Sequence, residues 1–99
     1  MVSVIYSVWY EVESSIDKEW NEWMEKNHIP KVVKAGKFER ARRYKVVEEA
    51  SNKYVTFYES RDMELFKRYI EGPAKQLREE YNQVFGSKTK ISRTVLVEI

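Results

Sequence analysis

Ninety-nine residues, 42% of them apolar and 14% aromatic, suit one domain (1–99) that buries roughly 60 to 70% of its unfolded surface, and they argue against disorder. The absence of cysteine and the single histidine exclude disulfides, thiolate and His-rich metal sites and a cysteine nucleophile; three glycines leave no phosphate-binding or dinucleotide loop. The net charge of +2 hides a split: residues 1–30 carry two basic and six acidic side chains, whereas 31–45 carry seven basic and one acidic. That second segment either attracts an anion or guards a strand edge with charge.

"VSVIYSVWYEVE" (Val2 to Glu13) alternates and predicts a long strand, with Val4, Tyr6, Val8, Tyr10 and Val12 on one face and Ile5 and Trp9 on the other. Both faces carry large apolar groups, so neither is suited to bulk water. The alternation also differs from the basic start and solid apolar block of a signal peptide, and there is no run of about 18 apolar residues. A cytoplasmic protein without a membrane span is expected. Abundant Lys, Glu and Arg without cysteine would also suit a thermophile.

Ser14 or Ser15 is placed to cap the first helix, with Asp17 and Glu19 in its first turn. Ile16, Trp20, Trp23, Met24 and Asn27 recur at helical spacing as its buried face. Pro30 disfavours the helical conformation at Ile29, so the helix should stop near His28 and "PKVVKAG" should form a separate short turn closed by Gly36.

"KFERARRYKVVE" (Lys37 to Glu48) predicts a second strand of poor alternation. Phe38 and Tyr44 share a parity with Arg40 and Arg42, which means either guanidiniums on a covered face or a bulge that resets the register. "ASN" (Ala50 to Asn52) is the expected turn into a third strand, Lys53 to Glu59. Ser60 is expected to cap a helix carrying Met63, Phe66, Tyr69 and Ile70, broken at Gly72-Pro73. A further helix carries Leu77, Tyr81, Val84 and Phe85 and ends at Gly86, and Thr89 to Ile99 forms the last strand.

The order β-α-β-β-α-β with right-handed crossovers predicts an α+β, ferredoxin-like fold: a four-stranded antiparallel sheet with helices on one face. The other face would then expose an apolar patch larger than monomers tolerate, and a homodimer with the two sheets facing each other removes it.

The pattern of "EWMEKNHIPKVVKAGKFERARRY" and "LREEYNQVFGSKTKISRTVLVEI" resembles the dimeric α/β-barrel superfamily, most closely a group of short uncharacterised proteins sharing Trp, His-x-Pro, Gly-x-Phe and terminal Phe-Gly elements. The resemblance covers nearly the whole chain. Relatives in that superfamily include cofactor-independent monooxygenases, polyketide cyclases, lactone isomerases, ether-degradation-type and stress-responsive proteins, and they place a pocket between the helices and the sheet. The ether-degradation type has an aromatic first helix ending in His-x-Pro, which maps onto His28 and Pro30. Relatives with a second histidine near the broken helix differ from this chain, which has Gly72-Pro73 and Tyr81 there.

His28 is the one candidate for proton transfer, because an imidazole titrates near neutral pH. On an α-helical wheel it lies roughly 100° from the centre of the buried face, at the rim, where it either touches a ligand or ties off the helix end. Trp20 and Trp23 either line an aromatic pocket or pack a core, and Asn27, at the centre of that face, needs bonding partners or a polar cavity. Arg40, Arg42 and Arg93 offer cationic walls to a carboxylate or phenolate, with Tyr6, Tyr10, Tyr44, Tyr54 and Tyr58 supplying hydroxyls; alternatively the arginines pair with Glu11, Glu13, Glu59 or Glu98. Tyr81 is either a proton donor or a core residue with a bonded hydroxyl.

No metal-ligand cluster is visible and no cofactor is implied. Nucleic acid is not an expected partner, because the total charge is near neutral and no RNA-binding aromatic motif is present. Two readings remain. One is a homodimer holding a small aromatic, polyketide-like or lactone ligand between helices and sheet, with cofactor-independent chemistry; the other is a non-catalytic ligand-sensing, stress-type or interaction module.

Overall fold

Alternation in the first strand decides the layering. In the computed structural model, which describes residues 3–48 and 52–99, Val4, Tyr6, Val8, Tyr10 and Val12 are all buried under the helices, and Ile5, Ser7, Trp9 and Glu11 occupy the opposite, uncovered face. The elements run β1 (Val4–Val12), α1 (Asp17–Trp23), α2 (Ile29–Gly36), β2 (Arg40–Lys45), β3 (Asn52–Ser60), α3 (Met63–Glu71), α4 (Pro73–Phe85) and β4 (Thr89–Val97). Two 3-10 turns, Ser14–Ile16 and Gly86–Lys88, and a π-helical turn, Met24–His28, complete the order. The sheet is antiparallel throughout, in the order β2-β3-β1-β4, which is the ferredoxin-like α+β arrangement.

Register carries the two faces across the sheet. Tyr6 pairs with Tyr58 on one side and Val95 on the other, and Trp9 pairs with Val55 and Ser92. The helix-covered face therefore holds an aromatic core in which Tyr6, Phe38, Tyr58, Phe66 and Tyr69 lie with ring centroids 5.3–6.4 Å apart, geometries that favour edge and offset contacts. The uncovered face carries Trp9, Phe57 and Tyr44 in a row, with Trp9 and Phe57 at 6.5 Å and Tyr44 and Phe57 at 5.4 Å. Trp9 is 40% exposed, Tyr44 46% and Leu96 46%, so an apolar surface does remain on this side.

Several local expectations are corrected. Neither Ser14 nor Ser15 caps α1, since a 3-10 turn precedes it and no side chain bonds its first amides. The cap of α3 is Asp62, whose Oδ1 accepts from the Leu65 amide at 2.8 Å; Ser60 instead donates to the Asp62 carbonyl. β2 contains no reset by a bulge: Phe38 precedes the strand and packs under the helices, while Arg40, Arg42 and Tyr44 pair opposite Glu59, Phe57 and Val55 on the uncovered face. Of the turn expected at Ala50 to Asn52, the first two residues lie outside the described residues, and Asn52 already belongs to β3. Val2, placed on the first strand by its alternation, also lies outside them.

The larger correction concerns Pro30. The helix does not stop near His28, because Ile29 holds a helical φ of −61° and ψ of −45° in spite of the proline that follows. The Ile29 amide bonds to the carbonyl of Met24, five residues back, so the turn is widened where an α-helix would have demanded an amide from Pro30. At the far end of α2 the left-handed residue is Lys37, with φ 51°. Gly36 answers a different need: a Cβ there would run into the Phe38 ring.

Candidate functional site

The π turn carries His28 under the helices, where it is only 8% exposed. Its ring stacks on Trp23 (5.3 Å, 20°) and meets the edge of Tyr81 (5.5 Å, 62°). Burial holds the imidazole well below its ordinary value, at about 4; Glu80 opposes the shift, and Lys31 and Arg93 add to it. At neutral pH it is an uncharged ring with one donor and one acceptor nitrogen.

His28 lines a cavity of about 20 Å³ between helices and sheet, room for about one water molecule. The sheet contributes Tyr6, Val8, Tyr10, Tyr58 and Arg93, and the helices contribute Val32, Tyr69, Leu77 and Arg78. Arg78 donates from Nη2 to the Tyr6 hydroxyl at 3.0 Å, while its Nε and the Tyr58 hydroxyl are buried with no hydrogen-bond partner. Such groups are uncommon in a folded interior, because each left unpaired costs about 1–3 kcal/mol. The cavity is lined by two guanidiniums and no carboxylate. Burial raises the Tyr58, Tyr69 and Tyr10 hydroxyls, with neighbouring tyrosines adding to it, so they remain protonated donors at any physiological pH.

The other sequence candidates fall in three places. Trp20, fully buried, donates from Nε1 to the Tyr81 hydroxyl at 2.8 Å; Tyr81 donates to Thr89 Oγ1 at 2.8 Å, and Thr89 donates to the Phe85 carbonyl at 3.1 Å. This relay ties α1, α4 and β4 together beside the cavity. Trp23 is half-buried against His28, Tyr81 and Phe85. Asn27 is half-buried, its Oδ1 enclosed without a partner, and it is not among the residues lining the cavity.

Arg40 and Arg42 stand on the uncovered face, on the other side of the sheet from His28, and cannot share its cavity; Arg40 Nε pairs with Glu59 Oε2 at 2.9 Å. Only Arg93, exposed on the outer strand, brings a guanidinium from that group to the cavity. Arg78, which is not among the candidates drawn from the sequence, supplies the other. It sits four residues after Ala74 and one after Leu77, both buried, so a charge inside an apolar helical stripe was the available signal. A further guanidinium, Arg43, lies over the Trp20 ring at 5.6 Å and donates to Asn21 Oδ1 at 2.6 Å, which makes it part of the packing.

Among the described residues no group of three or more His, Cys, Asp or Glu is placed to hold a metal ion, and no helix is long and apolar enough to cross a membrane.

Comparison with known proteins gives the family. The chain belongs to the family described as Domain of unknown function (DUF4286), whose model matches residues 3–99. No curated protein matches it. Among solved structures it is similar to a dimeric ferredoxin-like protein from an uncultured marine organism (14% identity, 98% of this chain and 94% of that one, TM-score 0.70). It is also similar to SnoaB, a cofactor-independent oxygenase from Streptomyces nogalater (11%, 95% and 90%, TM-score 0.64), and to an ethyl tert-butyl ether (ethd) family protein from Bacillus halodurans (10%, 97% and 97%, TM-score 0.67). At these identities the likeness is one of fold.

Proposed function

We propose that this member of the DUF4286 family is a cytoplasmic homodimer, formed by two uncovered sheet faces, in which the single domain of each protomer holds a small aromatic, polyketide-like or lactone ligand between helices and sheet. The observation that carries the reading is the cavity beside His28, where the Tyr58 hydroxyl and Arg78 Nε are buried without partners. A ligand oxygen would satisfy both groups, and neutral His28 would hydrogen-bond the ligand or exchange a proton with it. The chemistry in this scheme needs no metal or flavin, and a cofactor-independent oxygenase of similar fold supports that reading. Dimerisation is supported by the Trp9, Phe57 and Tyr44 row and by the dimeric ferredoxin-like protein of similar fold.

The size of the cavity favours a second reading. About 20 Å³ admits one water or one ligand oxygen, far below the roughly 300 Å³ of an ordinary ligand pocket. A ligand must therefore displace side chains at the exposed Arg93 end, or the protein is a non-catalytic module whose cavity is a hydrated flaw in the core. A thermal-shift screen of aromatic acids, phenols and lactones against the wild type and His28→Gln separates the two. Ligand holding predicts compounds that raise the melting temperature of the wild type and raise that of the variant less. If no compound of these classes raises it at millimolar concentration, the pocket reading fails and the module reading stands.

A further inference from the structure

The residues around the cavity show an imbalance that the pocket reading leaves unused. Arg78 donates to the Tyr6 oxygen, so the Tyr6 proton is free to be donated elsewhere. The Tyr58 hydroxyl, on a residue 1% exposed, and the buried Arg78 Nε–H are two more donors without an acceptor. Among the described residues neither Arg78 nor Arg93 is paired with a carboxylate, and the cavity wall contains none. Glu80, the acidic residue that acts on His28, is engaged by Lys31 at 3.6 Å. Three donors and two positive charges thus surround a space that one oxygen fills.

We infer that this cavity is a carboxylate socket: the acid group of a small organic monoanion enters beside Arg93, displacing side chains at that end, places one oxygen in the present space and is held by Arg78 Nε and the Tyr6 and Tyr58 hydroxyls. The inference rests on the pocket reading above and narrows its ligands to those bearing a carboxylate. A guanidinium and phenol pair suits that group, because charge-assisted bonds are shorter and roughly twice as strong as neutral ones. A neutral amide of the same shape offers one carbonyl acceptor, and its NH₂ would face donors. The hydrocarbon part of the ligand would lie toward the exposed outer strand, where Val95 (43% exposed) and Val97 (44%) continue the helix-side face of β4.

The test titrates formate, acetate and benzoate, each beside its uncharged amide, into ¹⁵N-labelled wild type, Arg78→Met, Arg78→Lys and Tyr58→Phe at constant ionic strength. The acids are expected to shift the amide resonances of residues around the cavity and to bind at least about tenfold more tightly than their amides. Tyr58→Phe should weaken acid binding about tenfold and Arg78→Met about a hundredfold, the scale of lost hydrogen bonds to a charged group. Should Arg78→Met fail to fold, Arg78→Lys, which keeps the charge without the fork, and Tyr58→Phe carry the test. Amides that bind as tightly as acids, or acids indifferent to Tyr58→Phe and to Arg78 substitution, overturn the socket and leave the pocket reading intact. Absence of any shift around the cavity with either class overturns both.

Discussion

Lowering the pH should destabilise the protein through His28 before the carboxylates begin to titrate. In the unfolded chain the imidazole takes up a proton near 6.5, whereas in the folded chain burial delays uptake to about 4. Between those values the unfolded state binds more protons, so stability is complete above about pH 6.5, falls with a limiting slope of about 1.4 kcal/mol per pH unit, and is lost in full below about pH 4. The whole interval corresponds to about 3 kcal/mol, and about 2 kcal/mol of it is gone by pH 5, a sizeable fraction of the stability of a small domain. Urea unfolding followed by tryptophan fluorescence, at one protein concentration and at several pH values from about 7.5 to 4.5, reads the effect. The comparison is with His28→Gln, which titrates the same acids but has no imidazole. The wild type should lose about 2 kcal/mol more than the variant on going from pH 7.5 to pH 5. Parallel stability curves, or a native-state imidazole titrating near 6.5 by NMR, would refute the argument that burial beneath Trp23 and Tyr81 governs this group.

The other outcomes follow from single contacts. Gly36→Ala places a Cβ against the Phe38 ring and should cost about 1–3 kcal/mol of urea stability by overpacking, more than alanine gains in helix propensity; a stabilised variant would contradict it. Tyr81→Phe leaves the buried Trp20 indole N–H without its acceptor and should cost about 1–3 kcal/mol, with a melting temperature equal to wild type as the contrary result. Trp9→Lys on the uncovered face should shift a micromolar sample from dimer to monomer in sedimentation equilibrium, and an unchanged mass would count against dimerisation through this face. Pro30→Ala restores an amide that can bond four residues back, so the π turn should relax and the His28 titration should move up toward the ordinary imidazole range; a titration fixed near 4 would show that packing alone sets the turn.

Strand pattern made the layering legible in advance. The even-numbered row of β1 and the β-branched run of β3 left one arrangement of four strands once right-handed crossovers were imposed, and the apolar character of Trp9 and Leu96 pointed to a second buried surface. What alternation could not decide was which row faced the helices, because Tyr6 and Trp9 are both large and amphipathic. It also failed at Phe38, whose parity matches Arg40 and Tyr44 although its side chain packs on the other layer. The alternation does not reach Phe38, because the chain is still irregular there and bends at Glu39 before β2 begins at Arg40. Of the residues that line the cavity, His28 and Tyr6 stood out by their chemistry, and Arg78 did not, because a charged residue on an amphipathic helix is ordinarily taken as solvent-facing. Arg40 and Arg42 stood open between a cationic wall for a ligand and glutamate pairing on a charged strand edge; Arg40 does pair with Glu59, on the face that the sheet separates from the cavity.

The position of His28 turns on a single backbone event. A turn closed from residue i to i+5 spends one residue more than an α-turn, and so sets back everything after it by roughly 100°. On an unbroken α-wheel Asn27 would fall at the centre of the buried face and His28 at its rim. After the setback His28 takes the place that Asn27 would have held, between Trp23 and Tyr81, and Asn27 moves toward the flank, which accounts for one being 8% exposed and the other half-buried. Pro30 supplies the reason for the event, since it has no amide for the Lys26 carbonyl and its ring crowds that carbonyl in a regular helix. The histidine and the proline two residues later therefore act as one unit: the proline rotates the helix, and the rotation delivers an uncharged imidazole to a cavity whose other polar side chains are tyrosines and arginines.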